Sequence, residues 1–372
     1  MNFAFSDDQE SLREQVRRFF ADRCSSAVVR KVFEGDDAFD RSLYKEMAGL
    51  GLLGATVPEK FGGSGMGPLE LCVIAEEAGR VLAPVPLLPS IYLASEILMK
   101  AGTDAQKHAW LPRLASGEII ATFAHAEQPG PVTKSTISSV VNGAKLNGTK
   151  SPVPHGTTAD IAIISANEGD NVALWVADLH HSSVTREELA TIDPTMPQAR
   201  LDFADTPVEP LSGTCWATIE QALDHAAVLL AFEQIGGADK ALERARDYAL
   251  ERMAFGRQIG SFQAIKHMLA DMYVAATLAR SNSYYGAWAL STNTEELPVA
   301  ASTARVSATE AFLLCAKNNI QVHGGMGFTW EAENHLYYRR ANALALALGS
   351  QSNWEDRMIG KLCEAAAASE AA

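Results

Sequence analysis

The strongest constraint on this chain lies in its C-terminal half. From Trp216 to about Ala367 the sequence is a succession of long Ala/Leu-rich segments whose apolar residues recur at helical spacing. That spacing predicts helices over Ile219–Met253, Ala264–Thr292 and Val299–Val322. Apolar faces of this extent exceed what one chain can cover, so a bundle that associates with a further chain is expected. The third helix runs into Gln321–Arg340, Q-V-H-G-G-M-G-F-T-W-E-A-E-N-H-L-Y-Y-R-R. Glycines at 324, 325 and 327 allow positive φ and let another group approach the backbone. Successive N–H groups turned the same way at such a break form a concavity that holds an anion. A helix C-cap followed by a tight turn fits the same glycines, and the short motif alone does not separate the two.

Ahead of this bundle, residues 118–212 change character. Short β-branched runs at Ile119–Phe123, Ile161–Ile164, Val172–Ala177 and Ala199–Phe203 alternate with turn signals, among them Asn142-Gly143 and Asn147-Gly148. A small antiparallel β-domain, sandwich or barrel, is expected. Residues 1–117 read as helical. Ser6 with Gln9 makes a capping box for a helix beginning near Asp7. Helical periodicity continues through Phe39–Met47, Pro68–Val81, Ser90–Ala101 and Asp104–Leu114. Gly49–Gly54 matches a dinucleotide fingerprint in form only, because a helix precedes it and a loop follows. The predicted fold class is therefore α+β, mainly α, with domains 1–117, 118–212 and 213–372. The tail from Glu364 is expected to fray.

Composition narrows the function classes. A length of 372 residues exceeds one ordinary core, and the formal net charge of −14 argues against nucleic acid or an anionic membrane as main partner. The N-terminus lacks a basic region and a long apolar core, so no signal peptide is expected, and no apolar run is long enough to span a bilayer. Cys24, Cys72, Cys215, Cys315 and Cys363 form no C-x-x-C, which suits reduced, buried thiols in a cytoplasmic protein. The nine histidines show no metal spacing, so no metal is expected.

The order helical domain, β-domain, helical bundle, with its local motifs, resembles the acyl-CoA dehydrogenase family along nearly the whole chain. L-G-L-L-G-A-T-V-P-E-K-F-G-G (50–63) is similar to the family's first loop signature, and Q-K-H-A-W-L-P-R-L-A-S-G (106–117) to the helix before its β-domain. L-N-G-T-K (146–150) with G-T-T-A-D (156–160) resembles the central hairpin. R-M-A-F-G-R-Q-I-G-S-F-Q (252–263) and Q-V-H-G-G-M-G-F (321–328) resemble the two FAD signatures. The resemblance implies an acyl-CoA dehydrogenase fold ending in a four-helix bundle, FAD, a tetramer, an electron-transfer flavoprotein or similar acceptor, and α,β-dehydrogenation of an acyl-CoA thioester. In that reaction a carboxylate removes the α-proton while hydride leaves the β-carbon for the flavin.

The resemblance also implies that each FAD lies across a subunit interface, and the matching residues divide accordingly. Arg252, Phe255, Gln263, Gln321, Gly324 and Gly325, the set a subunit gives to its neighbour's FAD, all match. Arg252 offers a planar five-donor fork to pyrophosphate; a surface ion pair or a helix C-terminal cation is the plainer alternative. The set that forms a subunit's own pocket is degraded. Thr-Glu-Pro becomes Ala126-Glu127-Gln128-Pro129, the following Gly-Ser-Asp is missing, Trp-Ile-Thr becomes Pro152-Val153-Pro154, and an Arg for CoA falls on Ala227. The catalytic glutamate falls on Leu348, which accepts no proton, and the alternative position on the long helix falls on Ala226. Asp224 and Glu233 lie nearby, and a structural ion pair is the plainer role for Glu233.

These losses are sorted, and the expectation is a base-lacking, FAD-donating subunit of an α2β2 heterotetramer with a homologous acyl-CoA dehydrogenase chain. Bacterial enzymes acting on steroid side chains resemble this arrangement, and F-T-W-E (328–331) and L-Y-Y-R-R (336–340) look similar to those chains. Three alternatives stand beside it: a self-sufficient homotetramer with a relocated base, a flavin monooxygenase on the same fold, and a scaffold that binds no flavin. The catalytic residue and the acyl group are left unassigned.

Overall fold

The computed structural model describes residues Phe5–Ala371. They divide into two compact units, one holding residues up to 29, 68–83 and 227 onward, the other residues 30–67 and 84–226.

The first unit is helical. Helix α1 (Asp7–Arg23) begins with the expected capping box, Gln9 N–H donating to Ser6 Oγ at 3.3 Å and Ser6 N–H to Gln9 Oε1 at 2.9 Å. Helix α4 (Pro68–Arg80) is buried from Leu71 to Gly79. Helices α7 (Trp216–Glu251), α8 (Gln263–Thr292), α9 (Leu297–His323), α10 (Asn334–Leu346) and α11 (Gln351–Ala371) follow. α9 packs along α8 and carries α10 and α11 as well. Its alanines at 300, 301, 304, 308 and 311 are all buried, which lets the neighbouring helices approach closely. The tail expected to fray continues as helix to Ala371, in keeping with its run of strong helix formers.

The closest approach in this unit joins α4 to α7. A Cβ on Gly79 would sit 1.9 Å from the carbonyl oxygen of Glu233, and one on Gly236 would sit 2.0 Å from that of Glu76. Both obstacles are backbone, so neither moves without parting the helices. Gly79→Ala is expected to destabilise the chain by about 1–3 kcal/mol, the usual range for overpacking, despite alanine's better helix propensity. Denaturant unfolding checks this; a stabilised variant would mean the helices can separate freely.

The second unit combines helices α3 (Arg41–Gly49), α5 (Glu96–Ala101) and α6 (Asp104–Ala115) with a seven-stranded sheet. The helix expected from Ser90 begins instead as a fully buried π-helical segment, Leu87–Ser95. Pro89 inside it has no N–H for an α-type ladder. Gly49 closes α3 and 50–54 forms the turn that follows, so a helix and not a strand precedes the glycines, as the sequence context required.

The strands are β1 (Ala121–Ala124), β2 (Val140–Asn142), β3 (Lys145–Pro154), β4 (Ile161–Glu168), β5 (Asn171–Asp178), β6 (Val184–Leu189) and β7 (Gln198–Pro210). Pairing runs β4-β2-β3-β7-β5 and returns to β4, which closes a ring, with β1 beside β4 and β6 beside β7. Most pairs are antiparallel; β4 takes β1 and β2 as parallel neighbours. The central β4 is buried from Ile161 to Ala166, hence its continuous apolar run. Asn142-Gly143 marks the β2–β3 hairpin, with Gly143 at φ 57° and Ala144 at φ 61°. Asn147-Gly148, expected as a turn, is instead a bulge within β3: Gly148 at φ 147° lies against Ser139, whose Cα is 2.8 Å from where a Cβ would stand.

All five cysteines are free; Cys24, Cys72 and Cys315 are buried as expected, whereas Cys215 and Cys363 are exposed. No helix of the described residues is long and apolar enough to cross a membrane.

Candidate functional site

The end of α7 and the end of α9 meet at one cleft. Tyr248 and Arg252 are four residues apart, so they share a helix face, and the Arg252 N–H closes the last turn of α7 on the Tyr248 carbonyl at 2.8 Å. The chain reverses through a short hairpin, β8 (Met253–Ala254) and β9 (Arg257–Gln258), with Phe255 at φ 53° and Gly256 at φ 78° at its tip. On the other wall, α9 stops at His323 and Gly324 takes φ 58°, its N–H bonded to the Gln321 carbonyl. Tyr248, Arg252, Ile259, His323, Gly324 and Gly325 line the resulting cleft of about 460 Å³.

Two properties suit this cleft to an anionic, ring-bearing ligand. The Arg252 guanidinium is exposed and has no hydrogen-bonded or ion-paired partner among the described residues. Gly324 and Gly325 face open space, with nothing within 4 Å of an added Cβ, so a ligand can lie directly on their backbone. The imidazole of His323 is stacked on the Tyr248 ring, centroids 4.1 Å apart at 19°. Burial holds its pKa below the ordinary histidine value, with Arg244 adding to the effect and the hydrogen bond to the Asn319 carbonyl opposing it.

Of the six residues expected from sequence, Arg252, Gly324 and Gly325 come together in the cleft. Gln321 is exposed one turn earlier on α9, Gln263 is the exposed first residue of α8, and Phe255 stands 95% exposed on its hairpin. Tyr248 and His323 were not singled out in the sequence, although the i, i+4 relation to Arg252 and the setting Q-V-H-G-G pointed to both.

A second polar cluster lies inside the sheet unit. The Lys150 ammonium is fully buried and donates to Glu127 Oε1 at 2.7 Å, Ser165 Oγ at 3.3 Å and the His125 carbonyl at 3.4 Å. Glu127 also accepts from the N–H groups of Ser138 at 2.7 Å and Ser139 at 3.0 Å, which closes the loop between β1 and β2 at its base. Burial, set against Lys150 and these hydrogen bonds, leaves the Glu127 carboxyl at about 2, while burial brings Lys150 down to about 8. His125 sits between the Phe123 and Trp216 rings with Nδ1 2.9 Å from Ser165 Oγ; burial and Lys150 push it down to about 3. The network fixes Ala126–Glu127 and the start of the Pro152–Pro154 run without any side-chain hydroxyl at 126, 152 or 154.

The position of the expected base carries no ionisable group. Leu348 occupies the left-handed region at φ 62°. Its loop is held from two sides: Trp354 Nε1–H donates to the Leu348 carbonyl at 3.1 Å, and Arg305 Nη2 donates to the carbonyls of Leu344 at 2.5 Å and Ala347 at 2.7 Å. Arg305 is buried, its other hydrogen bonds go to Gln234 and Thr309, and desolvation lowers its guanidinium to about 9. Ala226 and Ala227 are fully buried. Glu233 is buried and lies 3.5 Å from Arg340 Nη1, the structural ion pair that its sequence context favoured. Asp224 is buried as well.

Comparison with known proteins agrees with this architecture. Residues 6–118 match the acyl-CoA dehydrogenase N-terminal domain and residues 213–358 the acyl-CoA dehydrogenase C-terminal domain. The chain is 34% identical over 346 residues to acyl-CoA dehydrogenase IpdE2 of Mycobacterium tuberculosis, covering 92% of this chain and 94% of that protein. Among solved structures it resembles a variant of the Tcur3481-Tcur3483 steroid ACAD, with 31% identity, TM-score 0.89 and coverage of 97% of this chain and 99% of that one. It also resembles a chain of the ChsE4-ChsE5 complex from Mycobacterium tuberculosis, with 26% identity, TM-score 0.90 and coverage of 98% and 99%. The chain belongs to the acyl-CoA dehydrogenase family.

Proposed function

We propose that this chain is the FAD-donating, base-lacking subunit of a heteromeric acyl-CoA dehydrogenase, a heterotetramer of two such chains and two homologous chains that carry the base. The observation that carries the reading is the contrast between an open, unpaired Arg252 on a glycine-lined cleft and an apolar Leu348 where proton abstraction would occur. When bound, FAD would supply the hydride-accepting chemistry. Arg252 would hold its pyrophosphate with a bidentate fork, and the backbone at Gly324–Gly325 would carry the adenylate end. Phe255, exposed at positive φ on its hairpin, and Met326 and Phe328, exposed in the turn after α9, leave apolar side chains for a partner chain to cover. Gln263 and Gln321 are exposed and offer amide groups to the same ligand.

The partner chain would contribute the carboxylate, the flavin pocket and the acyl-CoA site; reduced flavin would pass electrons to an electron-transfer flavoprotein or similar acceptor. The names of two structural relatives, a steroid ACAD and a two-chain complex, support a bulky acyl substrate and a two-chain assembly. A base relocated to Glu233 is disfavoured because Glu233 is held in an ion pair with Arg340. The test is an acyl-CoA oxidation assay of the purified chain with an artificial electron acceptor. No turnover is expected from the chain alone; a rate within the ordinary enzymatic range, about 1 s⁻¹ or more, would overturn the reading.

A further inference from the structure

The dinucleotide cleft contains a titratable group that phosphate binding alone does not require. His323 lines the cleft, and its ring is fixed on two sides. Tyr248 covers one face, and Nδ1 lies 2.8 Å from the Asn319 carbonyl oxygen. A carbonyl can only accept, so the neutral ring carries its proton on Nδ1 and keeps the Nε2 lone pair for the cleft.

Resting on the reading that this cleft takes the adenylate–pyrophosphate end of FAD, we propose that His323 couples dinucleotide binding to uptake of one proton at its Nε2. The charged and titratable groups around it are few. Helix α7 presents Arg244, Tyr248 and Arg252; Glu333, just ahead of α10, pairs with Arg244 at 2.5 Å; the Gly324–Phe328 turn presents none. In the free chain, burial and Arg244 hold the imidazole pKa below its ordinary value. A pyrophosphate placed against Arg252 reverses the sign of the local field, and an Nε2–H then becomes a charge-assisted donor to it.

The sign of the linkage follows. Binding raises the imidazole pKa, so protons are taken up between the free and bound values, and affinity climbs as pH falls through that interval. The limit is about tenfold per pH unit, with a plateau on either side. Both phosphates of FAD are esterified and do not titrate near neutrality, so any slope belongs to the protein.

The experiment is calorimetric titration of the full-length chain with ADP-ribose, which carries the adenylate and pyrophosphate without the flavin. It is run from about pH 5 to about pH 8 in buffers of different ionisation heat. Proton uptake with tighter binding toward acid is expected, and His323→Phe, which keeps a ring on Tyr248, should bind with no slope. His323→Gln provides the same comparison if the phenylalanine variant is poorly folded. Binding without proton uptake, or uptake that persists in both variants, overturns the proposal and leaves the FAD-donor reading intact. Failure of ADP-ribose to bind the wild-type chain at any pH overturns the proposal, while the donor reading is decided separately by the flavin content of the chain co-expressed with its partner.

Discussion

Glu76→Ala is expected to lower the stability of the chain by about 3–5 kcal/mol, the range for leaving buried charges without their partner, and its melting temperature by roughly 10 °C. Glu76 is only 1% exposed, and its two oxygens are divided between two guanidiniums: Arg13 Nη1 at 2.5 Å and Arg280 Nη1 at 2.7 Å. Arg280 also pairs with Asp239. Burial alone would raise the Glu76 carboxyl, yet Arg280 and then Arg13 hold it below the usual carboxylate range, so the pairing outweighs the desolvation. Removing the carboxylate leaves Arg13, 8% exposed, without its shortest ion pair and facing a hole, with Glu10 at 3.1 Å and Glu77 at 3.8 Å left as counter-charges. Glu76→Gln, which keeps an acceptor and the volume, should lose less. Thermal and denaturant unfolding measure both variants; a loss below about 1 kcal/mol for the alanine variant would mean the network behaves like an exposed pair.

Acidification is expected to weaken the sheet unit well above the pH at which ordinary carboxylates titrate. His125 is neutral in the fold, its pKa pushed down to about 3 by burial and the Lys150 ammonium, while the unfolded chain protonates near 6.5. The stability this contributes is complete above pH 6.5 and is lost as pH falls toward 3, at about 1.4 kcal/mol per pH unit. Glu127 adds a second loss at lower pH: its carboxyl stands at about 2 against an ordinary 4.5, so its contribution is present above 4.5 and disappears toward 2. Stability against urea, followed from about pH 7 to about pH 5, should fall in the native chain and fall less steeply in His125→Phe, whose ring can stack on Phe123 as the imidazole does; the slope that remains belongs to His225 and His323, which burial also holds below the ordinary histidine pKa. A native chain whose stability is unchanged across that interval would contradict the buried, neutral His125.

Much of the architecture could be read from residue patterns, for definite physical reasons. Ser6 and Gln9 form a local capping box, so no tertiary information was needed to place the start of α1. The long helices carry periodic apolar faces over many turns, and their limits fall within a few residues of the expected ones. What escaped depends on contacts between distant residues. Asn147-Gly148 has turn chemistry, yet the glycine is there because Ser139 crosses it. The π-helical turns at Leu87–Ser95 and the ring closed by β4 and β5 are likewise tertiary outcomes. At the candidate site, Arg252 and the glycines could be found as motif members. The Tyr248–His323 stack could not, because the ends of α7 and α9 meet only in the folded chain. The ion pair of Glu233 was legible as the plainer role for a mid-helix carboxylate, but its partner Arg340 was not.

The most direct measurement is the FAD content of the purified chain, alone and after co-expression with a base-carrying acyl-CoA dehydrogenase subunit, alongside native mass. The account predicts little or no flavin on the chain alone, and a heterotetramer at half-occupancy once the partner is present. Full occupancy of a homotetramer by this chain alone would contradict it, because the pocket altered at Ala126 and Pro154 would then hold flavin without a partner.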